Sequence, residues 1–390
     1  MGADAVDFQI NDRQRELTDS AREIFQRKLK GPAEQAHESP EAMIRLRREM
    51  ATYGLLGVNM PVDCGGGGLP LLDTLLLTQT LQACAPALGS LAHRSSTGAV
   101  GAIAKLGSAK QKKDLVPRVC SGEIGISIGI TEPEAGSAAT SMKTQARIEG
   151  DHVVIRGQKQ FVSSVNVNDY TVVYCRLGSS GRATDIGAVI VPHDAPGFQR
   201  SNGTVNMADE LLFELYFDDC RVPVENILIQ ENAFGKLISI YNAERLGSIS
   251  RMLGSAQAAY EYALAYSKER RQFDRAICEF QGIQWMLAEM RVKLDAAELL
   301  TYRAAASAGD DGLPDRLLTS IAKVFTAQSS KEICDDAIQI LGANGYTKAY
   351  PLAHRYAEVR GGSIYGGTIQ IHKNMIAREI IGRGETGGRR

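Results

Sequence analysis

The spacing of apolar residues changes twice along the chain. Over residues 7–122 it follows a helical rhythm, with Leu17, Ala21, Ile24 and Phe25 on one face and Leu72, Leu75, Leu76 and Leu81 on another. Over residues 124–229 the period falls to two. Val153-Val154-Ile155, Thr171-Val172-Val173-Tyr174, Ile186-Gly187-Ala188-Val189-Ile190-Val191 and Phe213-Glu214-Leu215-Tyr216-Phe217 predict strands, parted by Gly, Asp, Asn and Pro clusters. Beyond residue 233 helical patterns return, marked by Leu246, Ile249, Leu253, Tyr260 and Ala263, then Ile283, Leu287, Met290 and Leu294, then Ile321, Val324, Phe325, Ile333 and Ile338. The expected class is α+β: an N-terminal helical domain (residues 1–122), a middle β barrel or sandwich (123–229) and a C-terminal helix bundle (230–390). The run Asp63-Cys64-Gly65-Gly66-Gly67-Gly68 reads as a loop. No clear strand precedes it and no Gly-Lys-Ser/Thr follows, so a phosphate cradle is a weak reading.

Composition narrows the function. With 390 residues, 44% of them hydrophobic, the chain can bury one or two substantial cores. A net charge of -1 gives no clustered positive surface for nucleic acid. The most apolar stretch, residues 69–81, is broken by Asp73, Thr74 and Thr78 and falls short of the ~20 residues a span needs, so no membrane segment is expected. The acidic opening Met1-Gly2-Ala3-Asp4 suggests neither signal nor transit peptide, and Gly388-Arg389-Arg390 reads as a frayed tail. Seven scattered cysteines without a CxxC pair suit reduced thiols and a cytoplasmic location. No histidine pattern points to a metal.

Five segments can carry chemistry, and each also has an ordinary structural reading. Gly129-Ile130-Thr131-Glu132-Pro133-Glu134-Ala135-Gly136-Ser137 is a turn with two hydroxyls and free backbone donors. Gln160-Phe161-Val162-Ser163-Ser164 sets an aromatic beside hydroxyls, which suits a flat ring or plain core packing. Glu269-Arg270-Arg271-Gln272-Phe273-Asp274 ends a long helix, where arginines serve the dipole or a phosphate. Gln339-Ile340-Leu341-Gly342-Ala343-Asn344-Gly345-Tyr346 is a helix end, and Ile364-Tyr365-Gly366-Gly367-Thr368-Ile369-Gln370 opens another with a capping Thr.

Taken in order over nearly the whole chain, these segments resemble the acyl-CoA dehydrogenase family. The resemblance implies an FAD enzyme, usually tetrameric (a dimer being the smaller option), with a C-terminal four-helix bundle. It implies that Thr131 and Ser137 contact FAD, Ser137 also lying near the substrate's phosphates, with Phe161 and Ser163 at the flavin ring. Arg270, Gln272, Phe273, Gln339 and Gly342 would reach a neighbouring subunit's FAD, and Thr368 and Gln370 the cofactor's other end. Arg245 and Tyr365 would line the substrate pocket. Phe161 stands where many members carry Trp.

Many members place a Glu base where this chain has Gly366. The resemblance to a subgroup that includes isovaleryl-CoA enzymes puts the base instead at Glu244, in Tyr241-Asn242-Ala243-Glu244-Arg245-Leu246-Gly247, expected in the opening turn of a helix. The Gly366 N–H would still polarise the thioester carbonyl. Arg94, beside His93, reads as a surface residue or as a partner for a substrate carboxylate or carrier phosphate. The expected activity is α,β-dehydrogenation of a short or branched acyl thioester on CoA or a carrier protein, with an electron-transfer partner or oxygen as acceptor. Elimination or desulfination without net oxidation, and a catalytically idle FAD-binding partner, are the alternatives.

Overall fold

The computed structural model describes residues 10–230, 233–309 and 311–382. The acidic opening residues and the Gly388-Arg389-Arg390 tail lie outside them. Seven helices come first among the described residues: α1 (Asp12–Ile24), α2 (Lys30–Gln35), α3 (Pro40–Thr52), α4 (Leu71–Cys84), α5 (Pro86–Ser96), α6 (Ala99–Leu106) and α7 (Ala109–Cys120). Asn11 and Ser108 open α1 and α7 with capping boxes, which fix those starts. α4 is buried on nearly every side between α1 and α8, so its polar residues need internal partners. Gln14 Nε2 donates to Asp73 Oδ1 (2.8 Å), Gln79 Nε2 to Glu298 Oε1 (2.7 Å), and Gln82 Nε2 to Ser255 Oγ (3.0 Å). The glycine-run amides of Gly67 and Gly68 donate to Gly57 and Met60 carbonyls, so they are committed to the loop itself.

The strands are β1 (Ile126–Gly129), β2 (Gln145–Glu149), β3 (His152–Ser163), β4 (Tyr170–Arg176), β5 (Ile186–Pro192), β6 (Phe198–Arg200), β7 (Thr204–Val205), β8 (Leu211–Pro223) and β9 (Ile227–Ile229). They form one sheet in the order β6-β8-β3-β2-β4-β5-β9, with β1 beside β4 and β7 beside β8. Val153 and Ile155 of β3, Phe213 and Leu215 of β8, and Val173 and Val189 of β4 and β5 share one core, so the sheet wraps around it. The alternate residues Val172, Tyr174, Ala188 and Ile190 face outward and pack on α6, α7 and the start of α8. This two-faced use explains why β4 and β5 read as almost continuous apolar runs.

Five helices follow among the described residues: α8 (Ala233–Glu269), α9 (Gln281–Ala306), α10 (Arg316–Leu341), α11 (Leu352–Gly361) and α12 (Ile369–Ile381), with a hairpin of β10 (Arg271–Gln272) and β11 (Arg275–Ala276) after α8. α8 and α10 pack along their length, flanked by α9, α11 and α12. The predicted face of α10 is only partly right. Ile333 is buried, but Ile321, Val324, Phe325 and Ile338 are half-buried. The wholly buried face carries Thr319, Ser320, Ala322, Thr326 and Ser330, small residues that let neighbouring helices approach closely, with the long Lys323 among them. No helix among the described residues is long and apolar enough to cross a membrane.

Candidate active site

Glu244 is the twelfth residue of α8, not part of its opening turn. Phe234, Leu237 and Ile240 extend the helix upstream because they pack on the core shared with α6, α7, β4 and β5. A helix dipole acts within its first turn and so gives this carboxylate little. Its surroundings do more. The side chain is 14% exposed, with His93 Nε2 3.3 Å from Oε1. Ser248 Oγ donates to the same oxygen at 3.3 Å. Oε2 is buried and has no partner among the described residues. Burial alone would raise this carboxyl, but His93, then the Lys323 and Arg245 cations, outweigh it and hold it below its ordinary value. Burial also lowers His93 against the pull of Glu244, so the contact joins a neutral imidazole to an ionised carboxylate rather than an ion pair.

Opposite lies the turn Tyr365-Gly366-Gly367-Thr368. Gly366 and Gly367 adopt φ of 69° and 93°, left-handed values that side chains disfavour. Each carbonyl in the first half of this turn is tied inward. Lys323 Nζ donates to Tyr365 O (3.0 Å), Arg245 Nε donates to Gly366 O (2.8 Å), and His372 Nε2 lies 3.2 Å from Gly366 O. The amides of Gly366 and Gly367 have no acceptor among the described residues. Thr368 caps α12, accepting from Ile371 N at 3.2 Å, and Gln370 is exposed on its first turn. The turn therefore presents donors on one side while cations secure the other. Lys323 is pushed down to about 7 by burial, only partly offset by Glu244.

The middle-domain residues cluster separately. Thr131 and Phe161 lie on adjoining segments, joined by Gln160 N donating to Thr131 O (2.8 Å). A register shift between Lys159 and Val162 throws Phe161 outward, 60% exposed at φ 58°. The positive φ is a backbone cost that the register shift holds in place, and the exposed ring is an apolar surface open to a partner. Ser163 follows, half-buried, and its carbonyl accepts from Ser127 Oγ (2.9 Å). Below the turn, Glu132 accepts from Lys159 Nζ (2.7 Å) and Thr144 N (3.0 Å), a buried pair that fixes the loop carrying Thr131 and exposed Ser137. A flat ring with a polar edge suits these features: an exposed aromatic wall, hydroxyls beside it and free turn amides.

The remaining predicted residues sit elsewhere. Arg270 follows Glu244 by 26 positions, about 39 Å along α8. Arg270, Gln272 and Phe273 are exposed on the β10–β11 hairpin, Phe273 at 89%. Gln339 and Gly342, also exposed, end α10 nearby, where Asn344 Nδ2 donates to Tyr266 OH (2.9 Å). Within one chain these groups cannot reach Glu244.

Arg94 is half-buried rather than freely exposed. Its side chain is 26% exposed yet densely surrounded, and its nearest carboxylate is Glu210 Oε1 at 4.0 Å. Burial pushes it down to about 10. Arg251, two turns beyond Glu244 on the same face of α8, lies 3.7 Å from that same oxygen and 3.7 Å from Glu358. Arg251, Lys323 and the orientation of His93 were not singled out by the sequence pattern. A lone Lys among small residues on α10 and the i, i+4 pair His93/Thr97 were the available signals.

Comparison with known proteins agrees with this architecture. Three family descriptions match in order: acyl-CoA dehydrogenase N-terminal domain over residues 11–123, middle domain over 127–220 and C-terminal domain over 235–381. A 3-sulfinopropanoyl-CoA desulfinase of Paraburkholderia xenovorans is 35% identical, over 96% of this chain and 98% of the relative. A short-chain-specific acyl-CoA dehydrogenase of Clostridium acetobutylicum is 30% identical, over 96% and 100%. Butyryl-CoA dehydrogenase from Megasphaera elsdenii superposes with a TM-score of 0.89 at 27% identity, covering 97% of this chain and 100% of that one. With all three domains of the family matched in order over most of its length, the chain belongs to the acyl-CoA dehydrogenase family, whose cofactor is FAD.

Proposed function

We propose that the chain catalyses α,β-dehydrogenation of a short or branched acyl thioester, carried on CoA or a carrier protein, with Glu244 as the base. The observation that carries this is the buried carboxylate whose Oε2 has no partner while Oε1 is held by Ser248 and His93. Thr131, Ser137, Phe161, Ser163, Thr368 and Gln370 would hold FAD, which supplies the acceptor for the β-hydride. The Gly366 amide would donate to the thioester carbonyl and spread the charge left when the α-proton moves to Glu244. Tyr365 and Arg245 would shape and brace that turn. An acyl chain filling the pocket excludes water and raises Glu244 from its depressed value towards working pH. Arg270, Gln272, Phe273, Gln339 and Gly342 would serve a second copy's FAD, making the active unit a tetramer or dimer. Anaerobic addition of butyryl- or isovaleryl-CoA should bleach the flavin, and Glu244→Gln should prevent it.

A second reading is carbon–sulfur cleavage, favoured by the desulfinase relatives and by Arg94 and Arg251, which could receive an anionic group at the acyl end. Sulfite released from 3-sulfinopropanoyl-CoA, without flavin bleaching by saturated thioesters, would select it. A bleached flavin after saturated thioester would rule out the idle-partner alternative.

A further inference from the structure

We propose that His93 and Thr97 form a tautomer lock on Glu244: Thr97 donates to His93 Nδ1, which commits the Nε2 proton to Glu244 Oε1 and leaves Oε2 as the proton-accepting oxygen. The inference rests on Glu244 being the base. His93 is then a positioning residue, one that touches the base and not the substrate.

The geometry is built for this. His93 is buried on α5, with Nδ1 2.9 Å from Thr97 Oγ1 one turn later and Nε2 3.3 Å from Glu244 Oε1. The second distance is longer than a well-formed bond, as is common before substrate binds. Thr97 Oγ1 has two acceptors for its single proton, His93 Nδ1 and the His93 carbonyl at 3.3 Å. Donation to the ring fixes the Nε2–H tautomer, while donation to the carbonyl would allow the reverse one and turn a lone pair on the carboxylate. Gly247 makes the approach possible. A Cβ there would fall 2.2 Å from Thr97 Oγ1 and 2.3 Å from His93 Nδ1. A glycine one turn after Glu244 thus lets α5 set both groups against α8.

The other titratable groups around the pair are Arg94 on α5, Tyr241, Arg245 and Arg251 on α8, Lys323 on α10, Tyr174 on β4, and Tyr365 in the turn. Arg94 and Arg251, although they also face Glu210 and Glu358, disfavour a positive charge on His93. A neutral imidazole can donate without adding charge.

The test uses the FAD-loaded full chain labelled with ¹⁵N-histidine, the His93 signal being assigned by its loss in His93→Gln. The expected spectrum shows a neutral Nε2–H ring at pH 7.5–8, shifting towards a tautomer mixture in Thr97→Val but not in Thr97→Ser. Thr97→Val should also move the acid limb of kcat/KM to higher pH and lower kcat about threefold to tenfold, at unchanged flavin content. A cationic or Nδ1–H ring in the parent protein, or an unmoved tautomer and pH profile in Thr97→Val, overturns the lock. Those results leave the base assignment standing. Should Glu244→Gln retain flavin reduction, the base assignment itself fails whatever the ring shows.

Discussion

Replacing Lys323 by Met should stabilise the fold while weakening catalysis. Lys323 is fully buried, and its amine is pushed from 10.5 down to about 7. The unfolded chain then holds this proton more tightly than the native one between pH 7 and 10.5, so stability rises with pH across that window and is lowest below it. Full linkage over that shift amounts to about 5 kcal/mol. The bond from Nζ to Tyr365 O returns about 1–3 kcal/mol of it. Met matches the aliphatic stem without a charge, so the expected gain is about 2–4 kcal/mol at pH 6.5; it falls by about 4 kcal/mol towards pH 10.5 and reverses sign before that pH, where the lost bond to Tyr365 O is what remains. Urea unfolding of parent and variant at pH 6.5 and 9.5 reads this directly as a gap that narrows with pH. The same change frees the Tyr365 carbonyl and removes a cation facing Glu244, so kcat should fall at least tenfold. A variant less stable at both pH values, by equal amounts, would refute the argument that burial strains this ammonium.

Other outcomes follow from the same contacts. Gly247→Ala forces α5 and α8 apart and should cost about 1–3 kcal/mol, seen as a lower melting temperature alongside reduced kcat. Glu132→Gln strands the buried Lys159 ammonium and should destabilise by about 3–5 kcal/mol. Because Glu132 is held below its ordinary value by Lys159 and backbone donors against burial, its contribution in the parent is present above pH 4.5 and is lost as pH falls through the lower folded value. Acid unfolding monitored by circular dichroism checks both statements. Arg251→Met and Arg94→Met should raise KM for thioesters with an anionic acyl end more than for butyryl-CoA, measured side by side. Phe273→Ala should lower FAD content while leaving the melting of FAD-free protein within about 0.5 kcal/mol, since that ring is almost fully exposed.

The fold was legible where one face of an element does one job. In β8, alternation marked the wrapped core directly. α8 was harder at its start, because Phe234, Leu237 and Ile240 belong to the core with the strands, while the residues after Tyr241 face the bundle. The helix changes partners midway, and its apolar stripe changes face with it. α10 hid its buried side because close helix packing selected Thr, Ser and Ala there. Lys323 looked like any exposed helical lysine for the same reason. The candidate pocket was legible at Glu244 and Gly366 through resemblance, whereas His93 entered only through tertiary proximity: α5 and α8 are far apart in sequence, and nothing local states that their faces meet at Gly247.

The most direct test is deuterium wash-in at the α-carbon of an acyl-CoA in D₂O, followed by proton NMR for the FAD-loaded parent and Glu244→Gln. The parent should exchange the α-proton at a rate comparable to turnover, while the variant binds the thioester with similar affinity and exchanges at least a thousandfold more slowly. Exchange at the parent rate in Glu244→Gln would show that another group takes the proton, and the assignment of this carboxylate as the base would be wrong.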